Sequence, residues 1–161
     1  MTAGRILTGF LCLAMISGCG PAAVAVPQKG VVPIQLSAPD GRTVTVLAEL
    51  ARTPAQQQRG LMGRQGLGVN AGMFFIFPQQ QALSFWMKNT LIPLDIVFFD
   101  DTGNTVSWAT MLPCPAESAV CPTTLSAGPA RFALEVPAGF VQQTGLTSDW
   151  RLVIGPWVQD S

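Results

Sequence analysis

The sequence predicts a β-dominated α+β domain, built on a mainly antiparallel sheet or partly closed barrel with one or two short helices. Residues Thr43 to Leu50 alternate between apolar and polar side chains, as in a strand with one buried face. Gly72 to Phe77 and Leu94 to Phe99 are unbroken apolar runs of strand length. Such runs are typical of strands that are covered on both faces, so we expect these two at the centre of the sheet.

The first two predicted strands form a hairpin. Val31 to Leu36 is the first strand, and it is followed by the turn sequence Pro39-Asp40-Gly41. Proline sets its own φ angle and glycine accepts a positive φ, so this sequence favours a tight reversal of the chain. In the second strand, the apolar residues from Val44 to Leu50 lie on one face.

A short helix is predicted after the hairpin. Thr53 is in the position of an N-cap, Pro54 is the first helical residue, and Gln56 comes three residues after the cap. The helix is predicted over Pro54 to Met62, with Gly63 as the residue that ends it.

The rest of the chain consists of predicted strands and turns, with one further helical segment. A turn is predicted at Asp101 to Asn104, and one or two helical turns at Ala138 to Thr144, before Gly145. The remaining strands are predicted at Thr105 to Leu112, Arg131 to Val136 and Trp150 to Ile154.

The N-terminus has the pattern of a secretory signal. Arg5 precedes an apolar run from Ile6 to Ile16, which is too short to cross a bilayer. Ile16 to Cys19 resembles the bacterial lipobox, in which the cysteine thiol is acylated and becomes the first mature residue. We therefore expect a lipoprotein signal peptide over residues 1–18, a tether over residues 19–30 and a single domain over residues 31–158.

The residue after the predicted lipidation site indicates where the protein is retained. Gly20 is not the aspartate that commonly holds bacterial lipoproteins at the inner membrane. Resemblance to that sorting pattern implies a lipid anchor at Cys19 on the periplasmic face of the outer membrane. The membrane is therefore the first expected partner.

Composition excludes several classes of function. Nine Lys and Arg residues balance nine Asp and Glu residues, and the cations are scattered along the chain, which disfavours a nucleic-acid partner. The chain contains no histidine, so the usual zinc ligands and the Ser-His-Asp and Cys-His catalytic arrangements are missing. We expect neither a metal nor another cofactor.

Cys114 and Cys121 are predicted to form a disulfide. They lie among prolines in a domain that is expected outside the inner membrane, where disulfides persist. Six residues separate them, which is not the Cys-x-x-Cys spacing of redox enzymes. We therefore expect a structural bond rather than a redox centre.

Polar residues within the apolar segment from Ser84 to Asp100 predict a site. Lys88, Asn89 and Asp95 lie there, and a charge removed from water requires a partner or a cleft. On an extended chain Trp86 and Lys88 share one face, so the indole would present an apolar wall beside an ammonium group.

Four ordered motifs run through the predicted domain. They are Arg59 to Arg64, Gly72 to Phe77, Phe85 to Thr90 continued by Ile92 to Ile96, and Leu134-Glu135 ahead of Ala138-Gly139. Together they resemble the bacterial and archaeal family catalogued as domain of unknown function 192, over about Val31 to Val153. The resemblance implies a small β-rich domain, often secreted or anchored, with a cleft but without an agreed biochemical activity. The polar residues that the motifs mark are Arg59, Arg64, Lys88, Asn89, Asp95 and Glu135.

Several functions are compatible with this polar set. We favour a non-enzymatic domain that binds a small anionic or carbohydrate-like ligand, or a partner, in a cleft with Trp86. Alternatively, the charges form a structural network, Lys88 with Asp95 or Arg59 with Glu135. A third hypothesis is a cell-envelope sugar hydrolase that uses Asp95 and Glu135 as its carboxyl pair, and a fourth is an envelope assembly protein.

Overall fold

Nine strands and two short helices are present in the part of the chain that the computed structural model describes, which is residue 1 and residues 30–114 and 117–156. The predicted signal peptide after its first residue, Cys19, all but the last residue of the predicted tether, and the predicted end of the domain at residues 157–158 lie outside these residues. Among the described residues, the helices are too short to cross a membrane.

Seven of the strands form one curled sheet with the shape of a half-barrel. Their order across the sheet is β6-β5-β8-β3-β2-β1-β9. The strands are β1 (Val31–Ser37), β2 (Thr43–Ala51), β3 (Ala71–Gln81), β5 (Leu94–Phe99), β6 (Thr105–Met111), β8 (Ala130–Pro137) and β9 (Arg151–Val153). The predicted β-dominated class with a partly closed barrel is confirmed.

The sheet is antiparallel except at one pair of strands. β1 and β2 form the predicted hairpin, in which Ile34 pairs with Val46. β2 and β3 are parallel instead, and the chain between them contains helix α1 (Pro54–Arg59). Parallel neighbours require a crossover connection, which the helix provides here.

The two apolar runs occupy interior positions in the sheet, as predicted. β3 lies between β8 and β2, and β5 lies between β6 and β8. All six residues of β5 are buried, because apolar side chains cover both faces of the sheet. One face packs against a cluster that contains Phe74, Val97 and Phe140, and the other against a cluster that contains Phe75, Ile96 and Phe98.

Helix α1 begins as predicted and ends earlier. The Thr53 side chain accepts a hydrogen bond from the Gln56 N–H, and the Gln56 side chain accepts one from the Thr53 N–H, so the capping box is complete. The predicted end at Met62 is wrong because Gly60 takes a φ of 45° and ends the helix at Arg59. Helix α2 (Phe140–Thr144) lies within the predicted helical segment and ends at Gly145.

A second, smaller sheet lies beside the main one. β4 (Ser84–Trp86) pairs with β7 (Thr123–Leu125), so that Trp86 lies opposite Thr123. The predicted disulfide joins Cys114 to Cys121, with their Cα atoms 5.6 Å apart. The chain that leads into β7 is therefore held next to the segment that carries Trp86.

Candidate functional site

Two clefts open on either side of Trp86, with volumes of about 440 and 360 Å³. Trp86, Lys88 and Asn89 line both clefts, and the Trp86 side chain is 42 % exposed. Together the clefts form a groove with the indole as its central ridge. This groove is the candidate site, and it contains Lys88 and Asn89, two of the three polar residues that were marked in the apolar segment.

The larger cleft lies between the Trp86 segment and the disulfide-closed loop. Cys114 and Cys121 are in its wall, and so is the exposed Val120. Because β4 pairs with β7, the chain that follows Cys121 lies beside Trp86. The disulfide joins two residues of one wall of the groove.

The smaller cleft lies against the end of helix α1. Gln58, Arg59 and Met62 line it. After the helix ends at Gly60, the Met62 N–H donates to the Arg59 carbonyl at 3.1 Å, and both residues line this cleft. In the described residues, the Arg59 guanidinium makes no ion pair and no hydrogen bond.

The Trp86 segment is shaped by a tight turn. The Thr90 N–H donates to the Met87 carbonyl at 3.1 Å, and Asn89 takes a φ of 56°, a left-handed conformation that asparagine tolerates better than most residues. The Asn89 carbonyl accepts a hydrogen bond from the Gly63 N–H at 2.8 Å, which joins this turn to the segment after α1. The Lys88 ammonium lies 5.3 Å from the centroid of the Trp86 ring. The sequence prediction that these two side chains share a face is consistent with this contact.

Glu135 lies below the groove and has an unusual environment for a carboxyl group. Its side chain is only 4 % exposed, and within the described part of the chain it makes neither a hydrogen bond nor an ion pair. Burial raises its pKa from 4.5 to about 8. At neutral pH the Glu135 carboxyl is therefore mainly protonated.

A narrow cavity of about 20 Å³ connects Glu135 with the groove. It shares Trp86 and Thr90 with the larger cleft, and Trp86, Arg59 and Met62 with the smaller one. A methyl group added at Gly60 would lie 3.9 Å from Oε2 of Glu135, so this oxygen lies directly behind the end of α1. Among the described residues, every completely enclosed side-chain oxygen has a hydrogen bond. The Glu135 oxygens have none, so they are not completely enclosed and must border this cavity.

Asp95 is buried on the other face of the sheet, where it has a structural role. Its side chain is 1 % exposed and accepts hydrogen bonds from the Thr110 hydroxyl at 2.7 Å, the Gly139 N–H at 3.0 Å and the Val141 N–H at 2.9 Å. The N–H groups of Gly139 and Val141 lie at the start of α2, where N–H groups have no acceptor within the helix. The Asp95 carboxylate accepts from both and so caps this helix from a neighbouring strand.

The proposed carboxyl pair of a sugar hydrolase is not formed. Asp95 on β5 pairs with Val136 on β8, whereas Glu135 pairs with Ile96. Directly opposed residues share a face and successive residues alternate, so Asp95 and Glu135 point to opposite faces. Because the sheet lies between them, the two groups cannot act on one sugar from either side of its scissile bond.

The predicted internal salt bridges are also missing from the described residues. There, Lys88 does not pair with Asp95, and Arg59 does not pair with Glu135. Nη2 of Arg64 instead donates to both carboxylate oxygens of Glu49, at 2.6 and 2.7 Å, and Arg64 does not line the groove or the narrow cavity. The structure thus brings Arg59, Trp86, Lys88, Asn89 and Glu135 together and places Arg64 and Asp95 elsewhere.

Some lining residues were not predicted. Met62 lies inside the Arg59 to Arg64 motif, so that motif was an available signal. Thr90 directly follows Asn89, but no feature of the sequence marks this threonine as a site residue. Phe75 and Phe85 have the pattern of core residues. Among the described residues, no cluster of three or more Cys, Asp or Glu side chains could hold a metal ion.

The fold and the site define a small β-rich domain that carries a tryptophan-centred groove above a buried carboxyl. The family model for domain of unknown function 192, described as an uncharacterized ACR, matches residues 36–154. This is more than half of the 161 residues, and the chain therefore belongs to that family.

Two solved structures are similar to this chain, each with 31 % sequence identity and a TM-score of 0.69. One, from Sinorhizobium meliloti 1021, is described as a "putative transcription regulator"; the match covers 75 % of this chain and 91 % of that one. The other is a protein of unknown function from Novosphingobium aromaticivorans DSM 12444, with 77 % and 85 % covered. No curated protein matches the chain significantly.

Proposed function

We propose that this domain binds a small ligand with a flat apolar face and an anionic group, in the groove divided by Trp86. The observation that carries the proposal is that a half-exposed indole lines both clefts, with the cations of Lys88 and Arg59 beside it. An exposed tryptophan in a concave site offers a large contact area at a small cost in conformational entropy. A sugar acid and an aromatic acid both have the required chemistry.

The charges beside the indole support an anionic group on the ligand. Lys88 and Arg59 have no acidic partner among the described residues, whereas Arg42 and Arg64 are paired with Asp40 and Glu49. An unpaired cation at the edge of a cleft is available for a carboxylate or phosphate. The same balance of charges gives little support for nucleic-acid binding, since the available cations do not form an extended patch.

We further propose that the domain acts as an envelope lipoprotein, anchored through Cys19 at the periplasmic face of the outer membrane. The support is the sequence alone, through the apolar run before Cys19 and the glycine after it. A cell producing the protein should incorporate a labelled fatty acid into it. The Cys19→Ser variant should remain unlabelled, and equal labelling of both proteins would refute the anchor.

The binding proposal is tested by thermal denaturation of the full chain with a panel of envelope sugar acids, aromatic acids and their uncharged analogues. A ligand that binds only the native state raises the unfolding temperature. We expect at least one acid to do so, its uncharged analogue to be weaker, and Trp86→Ala to abolish the effect.

Trp108 provides a matched control for Trp86. It is 41 % exposed, almost the same as Trp86, but it lies on β6 and does not line the groove. Trp108→Ala should therefore retain the ligand effect. A ligand effect that survives Trp86→Ala, or is lost equally in both variants, would contradict the groove as the site. If no acid stabilises the protein, the proposal of an anionic ligand is wrong.

A partner protein is the second candidate occupant of the groove. Leu91 and Val120 line the larger cleft and are 57 % and 81 % exposed, so the rim there is apolar. An exposed apolar rim is typical of a docking surface for a polypeptide. Such a partner would leave the small-ligand panel without effect.

A further inference from the structure

The narrow cavity at Glu135 suggests a more specific ligand class than the groove alone. We propose that this cavity is a subsite for a primary ammonium group, and that the ligand is an α-amino acid whose carboxylate binds Arg59 and whose side chain lies against Trp86. This inference rests on the proposed function, because it assigns the ligand of the same groove.

The surroundings of Glu135 favour an ammonium group. A carboxyl that is 4 % exposed and has no partner among the described residues keeps little of its hydration and receives no hydrogen bond from those residues in return. An ammonium group restores charge-assisted hydrogen bonds. The aromatic side chains of Phe75, Phe85 and Trp86 line the same cavity, and aromatic walls attract cations through their ring quadrupoles.

The Thr90 hydroxyl adds a second acceptor to this subsite. Thr90 is 6 % exposed, lines the narrow cavity, and makes no side-chain hydrogen bond with another described residue. An ammonium group has three donors, so Glu135 and Thr90 together satisfy it better than a carboxyl alone. A neutral hydroxyl group on the ligand would need fewer partners than the cavity provides.

The size of the cavity restricts the group that enters. A volume of about 20 Å³ is close to what one water-sized group requires. A primary ammonium group is of that size, whereas a sugar ring or a quaternary ammonium is much larger. The rest of the ligand must therefore lie in the groove outside.

Arg59 connects the subsite with the groove. It lines both the narrow cavity and the smaller cleft, yet its guanidinium does not pair with Glu135. A group that carries opposite charges close together fits between them. In an α-amino acid the ammonium and the carboxylate are attached to the same carbon, and the third substituent is then directed toward Trp86.

The test uses calorimetric and thermal-shift titration of the full chain with the common amino acids, in both enantiomers. Each is compared with its N-acetyl derivative and with the acid that lacks the amino group. We expect at least one amino acid to bind, and both analogues to bind at least tenfold more weakly, as expected for the loss of a hydrogen bond to a charged group.

Glu135→Gln is the matching variant, because it retains the shape of the side chain but cannot ionise. We expect it to bind the amino acid at least tenfold more weakly and to bind the deaminated acid as the parent protein does. Burial keeps Glu135 mainly protonated at pH 7, so binding of an ammonium should release a proton from the parent protein and none from the variant. Arg59 is the other charged residue that lines the cavity of Glu135, and Lys88 lies 5.3 Å from the ring of Trp86, which also lines it.

Arg59→Gln provides a second measurement that does not depend on the buried residue. Arg59 is exposed, so this variant should fold normally. It should lose affinity for the amino acid and retain its affinity for the corresponding amine. Circular dichroism of all variants verifies that the fold is retained.

The outcomes separate the two proposals. If the deaminated acid binds as tightly as the amino acid and Trp86→Ala abolishes both, the ammonium subsite is wrong and the groove remains the site. If Glu135→Gln binds the amino acid as the parent does, the subsite is likewise wrong. If neither acids nor amino acids bind to the parent protein, both proposals fail.

Discussion

Asp95 and Glu135 are carboxyl groups in adjacent strands of one sheet, and their environments are opposite. Both are almost completely buried, at 1 % and 4 % exposure. Asp95 accepts three hydrogen bonds and caps helix α2, whereas Glu135 has no partner among the described residues and borders a cavity. Burial of an ionisable residue therefore does not by itself show whether the residue has a structural role or belongs to a binding site.

The difference between the two groups is energetic. A buried carboxylate with three donors has exchanged its hydration for protein hydrogen bonds, so it holds neighbouring elements together. A buried carboxyl without donors has lost most of its hydration and has no protein hydrogen bonds in exchange, which reduces stability. Glu135 is therefore expected to decrease the stability of the protein, and Asp95 to increase it.

The largest expected effect concerns pH and Glu135. The pKa of Glu135 is about 8 in the native protein and near 4.5 when the chain is unfolded, so between these values the native state retains a proton that the unfolded state has lost. Its contribution to stability is complete below about pH 4.5 and decreases as the pH rises to 8, by on the order of 5 kcal/mol in total. Urea denaturation at several pH values measures this loss.

Glu135→Gln serves as the control for that pH series, because glutamine cannot titrate. The difference in unfolding free energy between parent and variant should change with pH in favour of the variant. Parallel pH profiles for the two proteins would show that Glu135 has a partner or remains hydrated.

The second prediction tests the structural role of Asp95. Asp95→Ala leaves the partly buried N–H groups of Gly139 and Val141 without their acceptor, so the free energy of unfolding should decrease by about 2 kcal/mol. Asp95→Asn keeps one oxygen acceptor and should lose less. Chemical denaturation measures both.

An exposed carboxylate is the appropriate reference for Asp95. Asp40→Ala removes an exposed ion pair with Arg42 and an exposed hydrogen bond from the Arg42 N–H, so it should lower the unfolding midpoint much less than Asp95→Ala does. If Asp95→Ala were as mild as Asp40→Ala, the cap on α2 would contribute little, and the contrast between Asp95 and Glu135 would disappear.

The smallest expected effect concerns a single donor to Asp95. Thr110→Val removes the hydroxyl that donates to Asp95 and preserves the shape of the side chain, so stability should decrease by about 1 kcal/mol. Thr105 on the same strand donates to the Trp150 carbonyl, a neutral acceptor. Thr105→Val should cost less than Thr110→Val in the same denaturation experiment, and the reverse order would argue against a charged acceptor at Asp95.

Most of the fold was predictable from local patterns. Alternation identified β2, apolar runs identified the interior strands β3 and β5, and cap residues identified the start of α1. The parallel pairing of β2 with β3 was not predicted, because pairing partners depend on distant segments that no local pattern specifies. The predicted end of α1 was wrong because Gly60 and Gly63 can each end a helix, and the sequence pattern does not distinguish between them.

The candidate site was partly predictable. Trp86, Lys88 and Asn89 are contiguous in a segment whose character is evident from the sequence, and they do line the groove. Asp95 has the same apparent character, yet it faces the opposite side of the sheet. Arg64 lies near Arg59 in the chain, but its side chain pairs with Glu49 on another strand.

The sequence by itself determined where most strands lie and which polar residues fall within apolar segments, because apolar periodicity and helix caps are encoded within a few residues. Only the tertiary structure decided which carboxyl is a structural cap and which lies at a cavity. The physical reason is that register sets the face of each side chain, and that the donors reaching Asp95 come from residues far along the chain. Glu135 differs from Asp95 because the tertiary structure places a cavity, and no hydrogen-bond donor of the described residues, next to its carboxyl group.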